Sequence, residues 1–152
     1  MPPPPGPPIG LILTSTARTL SRAFDEALAA AGGSLPTWLV LVSLAAGKPA
    51  NQRELAAAVG IQGATLTHHL NAMESAGLVT RTRNPENRRV HVVELTSAGK
   101  TVFVRLRDVA VAFDTRLREG VSDEEVVVLA GLLSRLRANV APDARVETPW
   151  RG

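Results

Sequence analysis

From Ile9 the apolar positions recur at steps of three and four, through Leu13, Ala17, Leu20, Phe24, Ala27 or Leu28 and Ala31. That spacing lines one face of an α-helix. Gly32-Gly33 stops it, and Ser34-Leu-Pro-Thr37 opens a second helix with proline in the first turn, where a missing N–H costs nothing. Trp38, Leu39, Leu41, Val42 and Leu44 make this second helix apolar nearly all round. Two shorter helices follow. Asn51-Gln-Arg-Glu54 has the form of a capping box, and Leu55, Ala56 and Val59 supply a buried face before Gly60 permits a turn. The next helix runs from about Gln62 to Ala76, with Leu66, Leu70 and Met73 on one side.

The period then changes from helical to alternating. Leu78–Arg83 and Arg89–Leu95 read as strands around Asn84-Pro-Glu-Asn87, strong turn chemistry, so the pair predicts a β-hairpin. Thr96-Ser97 begins a long helix with Phe103, Leu106, Ala110, Phe113 and Leu117 on one stripe. Ser122-Asp-Glu-Glu125 caps a last helix bearing Leu129, Leu132, Leu133 and Leu136. The expected fold is mainly α with a small β-hairpin wing: a helix–turn–helix followed at once by a hairpin, which is a winged helix. Residues 34–96 form that domain, 9–33 and 97–140 a helical dimerisation region, 1–8 a disordered proline-rich arm and 141–152 a loose tail.

Composition narrows the chemistry. The chain has 152 residues, 45% of them hydrophobic, which suffices for a core and excludes global disorder. It has no cysteine, which removes a disulfide scaffold, a thiolate metal site and a thiol nucleophile. No apolar run approaches the ~20 residues of a bilayer span, and a cytoplasmic protein with no membrane partner is expected. Charge is concentrated: residues 81–90 hold Arg81, Arg83, Arg88 and Arg89 against Glu86 alone, an excess equal to the +3 of the whole chain. Such a stretch repels itself unless an anion lies nearby.

Beside it stands a different surface. With Leu66, Leu70 and Met73 inward, Ala64, Thr65, Thr67, His68 and Asn71 face outward, after Gln62 at the helix start. This ridge is small and uncharged apart from a histidine proton, so it can enter a major groove without repelling phosphates while offering hydroxyl, amide and imidazole groups to base edges. Arg81, Arg83, Arg88 and Arg89 on the hairpin suit the flanking backbone and minor groove. Double-stranded DNA is the expected partner. A protein-interaction module gripping an acidic partner, and a small-molecule-binding protein that never meets DNA, are the alternatives.

Other motifs carry less. Gly99-Lys100-Thr101 resembles the end of a phosphate-binding loop, but position 94 is Glu where that loop needs glycine. His68 and His69 point about 100° apart on a helix and have no cysteine nearby for a metal site. No catalytic arrangement is present, so neither an enzyme nor a cofactor is expected. The stripes of the first and long fifth helices exceed what a winged helix of this size can bury, and a second copy of the chain would cover them.

The run NQRELAAAVGIQGATLTHHLNAMESAGLVTR from Asn51 to Arg81 resembles the helix–turn–helix of the multiple-antibiotic-resistance regulator (MarR) family. RNPENRRVHVVELTSAG resembles the family's wing and its exit at Leu95, Thr96 and Gly99, and SLPTWLVLVSLAAG its second helix. The resemblance implies a homodimeric transcription regulator, usually a repressor, that binds a pseudo-palindromic operator and often releases it to a small aromatic ligand. It places Thr65, Thr67 and His68 at base-reading positions and Arg89 at the wing arginine that enters the minor groove. It also puts a ligand pocket between the helical region and the winged helix, drawing on Ser15, Arg18, Trp38 and the start of the 97–119 helix. The family's Asp-Arg-Arg is here Asn87-Arg88-Arg89, and its capping serine is Gln62.

Overall fold

The computed structural model describes residues 5–47, 50–87 and 91–141. The described elements run α1 (Ile9–Ala30), α2 (Leu35–Ala45), β1 (Ala50–Asn51), α3 (Gln52–Val59), α4 (Gly63–Ser75), β2 (Val79–Arg83), β3 (His91–Leu95), α5 (Ser97–Leu117) and α6 (Asp123–Val140). The mainly α winged helix expected from the periodicity is present, with the first hairpin strand starting one residue later than its apolar pattern.

The capping chemistry works as the sequence implies. Ser34 Oγ accepts from Thr37 N–H at the start of α2. Full capping boxes form at Asn51/Glu54 and Ser122/Glu125, each side chain accepting from the other residue's backbone N–H. Between α3 and α4 the chain turns at Gly60, whose φ of +72° a side chain would disfavour. In the hairpin turn, Asn84 Oδ1 accepts from Glu86 N–H at 2.9 Å.

One element was not anticipated. Ala50–Asn51 adds a third strand, so the sheet has the order β1-β3-β2, all antiparallel, with Asn51 opposite Val92 and Arg81 opposite Val93. Two residues are too short to show alternation, and in the sequence Asn51 reads only as a helix cap. The strand fixes the start of α3 to the base of the wing.

A single core joins these elements. Leu41, Leu55, Leu66, Leu70 and Val79 are at most 1% exposed, and Leu28 of α1 and Leu106 of α5 reach the same cluster. Trp38 packs within it, its ring stacked on Phe103 at 5.8 Å. The winged helix is thus seated on the two long helices. In contrast, α6 contains no buried residue. Its Val127, Val128, Leu129 and Leu132 stand exposed, as do Ile9 and Leu11 on α1 and Val104 and Val111 on α5.

The junction between wing and α5 is the tightest backbone contact described. Thr96 N–H donates to Leu78 O at 3.1 Å, and Thr96 Oγ1 donates to Gly77 O while accepting from Gly99 N–H. A Cβ at Gly99 would lie 2.0 Å from Leu78 O. The glycine before Lys100 therefore serves backbone approach, which explains its presence without any phosphate.

Candidate nucleic-acid interface

The outward ridge of α4 follows from its inward one. Leu66, Leu70 and Met73 are at most 3% exposed, so the residues between them are held at the surface. Gln62, Ala64, Thr65, His68 and Asn71 are all exposed and Thr67 is half-buried. Gln62 is the N-cap and makes no side-chain capping bond, so the first amides of α4 lack a capping partner from it. Such amides carry the positive end of the helix dipole and suit a phosphate oxygen. They border a concavity of about 650 Å³ lined by Asn51, Gln52, Arg53, Gly63, Thr67 and His91 among others.

Two of the expected readers are already engaged with the protein. Thr67 Oγ1 donates to Gly63 O at 2.9 Å and accepts from Gln52 Nε2 at 2.5 Å. Its hydroxyl proton is therefore committed, and Gln52 ties the first helix of the motif to the second. Asn71 Oδ1 accepts from Arg81 Nη2 at 2.6 Å. Thr65 and His68, with Gln62 and Ala64, form the exposed part of the ridge in which no side-chain hydrogen bond is described.

The wing's arginines divide as well. Arg81 is on the same sheet face as buried Val79, because strand side chains alternate, and that face packs on α4. Its guanidinium donates from both Nε and Nη2 to Glu74 Oε2, at 2.9 and 2.5 Å. The side chain of Arg81 is only 18% exposed, against 40% for Glu74. That arginine holds the Glu74 carboxyl below its usual range, chiefly through the hydrogen bonds. Arg83 is exposed near the end of β2. Arg88 and Arg89 lie outside the described residues.

The expected ligand residues differ in exposure. Trp38 is 4% exposed and belongs to the core, whereas Ser15 and Arg18 stand exposed on α1. A cavity of about 600 Å³ opens between the C-terminal end of α2 and the start of α5, the part of the expected pocket that the long helix supplies, lined by Leu44, Gly47, Val93, Glu94, Lys100 and Phe103 among others. Sequence reasoning missed Gln52 and Glu74. Glu74 was detectable in principle, since it stands three residues after Asn71 on the same helix face. Its pairing with a strand residue seven positions later was not.

Comparison with known proteins gives one consistent picture. The family model described as MarR family matches residues 34–91. The chain is 34% identical over 90 residues to an uncharacterised HTH-type transcriptional regulator, YdgJ of Bacillus subtilis, covering 59% of this chain and 55% of that protein. It thus spans about half the length of that curated relative. Among solved structures it superposes on the transcriptional repressor CouR bound to a 23-mer DNA duplex with a TM-score of 0.78, at 28% identity, over 85% of this chain and 92% of CouR. The transcriptional regulator PA3341 gives a TM-score of 0.76 at 31% identity, over 89% of this chain and 99% of that one.

Proposed function

We propose that this chain is a transcriptional regulator of the MarR family, whose model it matches over residues 34–91, and that it acts as a homodimeric repressor on a pseudo-palindromic operator. In this reading α4 enters the major groove, with Gln62, Ala64, Thr65 and His68 at base edges and Thr67 and Asn71 at its margin. Arg83, with Arg88 and Arg89 beyond the described residues, supplies backbone and minor-groove affinity. The observation that carries the reading is the pairing of an exposed, uncharged ridge on α4 with a cationic hairpin beside it. The DNA-bound state of CouR, a structural neighbour over most of both chains, supports the same use.

Dimerisation is supported by the outer helices. A helix with no buried residue and a valine–leucine face, Val127 71% and Leu129 52% exposed, is not stable by itself in water. Residues 9–33 and 97–140 of two copies would cover these faces jointly and place two α4 helices about one DNA turn apart. By family resemblance a small aromatic effector then releases the operator. Within the expected site, the cavity beside Lys100 and Phe103 at the start of α5 is the open part, because Trp38 is committed to packing.

The test is selection of binding sites from random DNA, followed by titration of the winning duplex at two salt concentrations. One preferred two-part site is expected, with Arg89→Ala weakening binding and reducing its salt dependence by about one ion for each phosphate no longer neutralised. Equal affinity for selected and random duplexes would overturn the assignment.

A further inference from the structure

We propose that Arg81 is a positioning residue, a strut that locks the wing to the recognition helix through Glu74 and Asn71 and sets the distance between the two DNA-reading elements. The inference rests on the DNA-binding reading above for its functional consequence, and on geometry for the strut itself. A basic residue in the middle of a wing strand invites assignment to a phosphate. The structure gives its guanidinium other work: three short hydrogen bonds run from one strand residue to two side chains of α4. Glu74 and Asn71 are one helical turn apart on the same face, so the planar fork spans both and resists rotation of the sheet about α4. Arg81 is also more shielded than its partner, a setting in which such pairs lose less to water and salt.

The strut has a second consequence at the ridge. An amide whose oxygen accepts from a guanidinium has its orientation set, with one lone pair of Asn71 Oδ1 occupied and the Nδ2 donor left for DNA. Asn71 can then donate to a phosphate or a base acceptor, with the direction its amide faces set by the arginine. Arg81 acts on DNA recognition through that side chain and through the wing, not by contact of its own.

A charge-balanced substitution separates strut from phosphate ligand. Removing both partners, Arg81→Ala with Glu74→Ala, leaves the net charge unchanged. The strut account expects about tenfold weaker binding to the selected duplex with an unaltered slope of log affinity against log salt. Glu74→Ala alone should also weaken specific binding, although loss of a negative charge beside DNA would by itself strengthen it. A slope reduced by about one ion per protomer in the double variant, as Arg83→Ala should give, would overturn the proposal. Hydrogen exchange of the free protein gives a readout without DNA. The amides of Thr80–Arg83 should exchange about tenfold faster in both variants while Leu41 and Leu66 are unaffected, and unchanged strand exchange would equally refute the strut. Should the native protein prefer no duplex, the regulatory reading fails while the exchange data still decide the strut.

Discussion

Replacing Gly99 by alanine should be among the most damaging single-methyl additions in the molecule. The new Cβ would lie 2.0 Å from Leu78 O, 3.0 Å from Leu78 C and 3.2 Å from Leu95 Cδ2. An ordinary carbon–oxygen contact is about 3.3 Å, so α5 and the wing would have to separate by more than about 1 Å. The carbonyl cannot simply swing away. It accepts from Thr96 N–H, Leu78 N–H is held by Met73 O at 2.9 Å, and Thr96 Oγ1 is bonded to Gly77 O. Relief therefore loosens two hydrogen bonds at about 1 kcal/mol each and disturbs packing by at least about 1 kcal/mol more. The expected loss is about 3 kcal/mol, a large part of the stability of a small domain. Urea denaturation followed by circular dichroism measures it. Gly10→Ala is the control: among the described residues nothing lies within 4 Å of its Cβ position on α1, and a gain of up to about 1 kcal/mol is expected there. A loss below about 0.5 kcal/mol for Gly99→Ala would refute the account of the junction.

Three further outcomes follow from particular atoms. Ser43 is 5% exposed and its Oγ has no hydrogen-bond partner among the described residues, so Ser43→Ala should raise stability by about 1 kcal/mol in the same urea titration; destabilisation would mean the hydroxyl has a partner. Because Arg81 lowers the carboxyl of Glu74 below its ordinary value of 4.5, the pair contributes fully above that value and is lost as pH falls through the depressed one. NMR titration should find the Glu74 midpoint low in the native protein and higher in Arg81→Ala, and an identical midpoint in both would contradict the pairing. Thr65→Ala and His68→Ala should relax sequence preference at single positions, each costing about 1–3 kcal/mol on the selected duplex and nothing on random DNA. Equal losses on both would remove these residues from base reading.

The fold was legible wherever local chemistry governs it. The steps of three and four gave α1, α4, α5 and α6, and Ser34, Asn51, Thr96 and Ser122 marked helix starts because a cap is decided within four residues. Leu66, Leu70 and Met73 gave the inward face of α4, and hence the ridge opposite. What escaped was set by tertiary pairing. Ala50–Asn51 becomes a strand only because β3 is there to bond it. Arg81 read as free positive charge because sequence does not show that the sheet face shared with Val79 meets Glu74. Thr67 looked available for the same reason, its commitment depending on Gln52 fifteen residues earlier. Trp38 read as part of an apolar helix and is core, its ring stacked on Phe103, although the family resemblance also placed it at a ligand pocket.

The claim at the centre is that two copies of this chain present paired α4 ridges to one duplex. Footprinting of the purified protein on its selected site, with the mass of the complex measured in parallel, addresses it directly. Two protomers per duplex and two protected patches about one helical turn apart are predicted. A single protomer bound to one continuous patch, or protection without preference for any sequence, would contradict it.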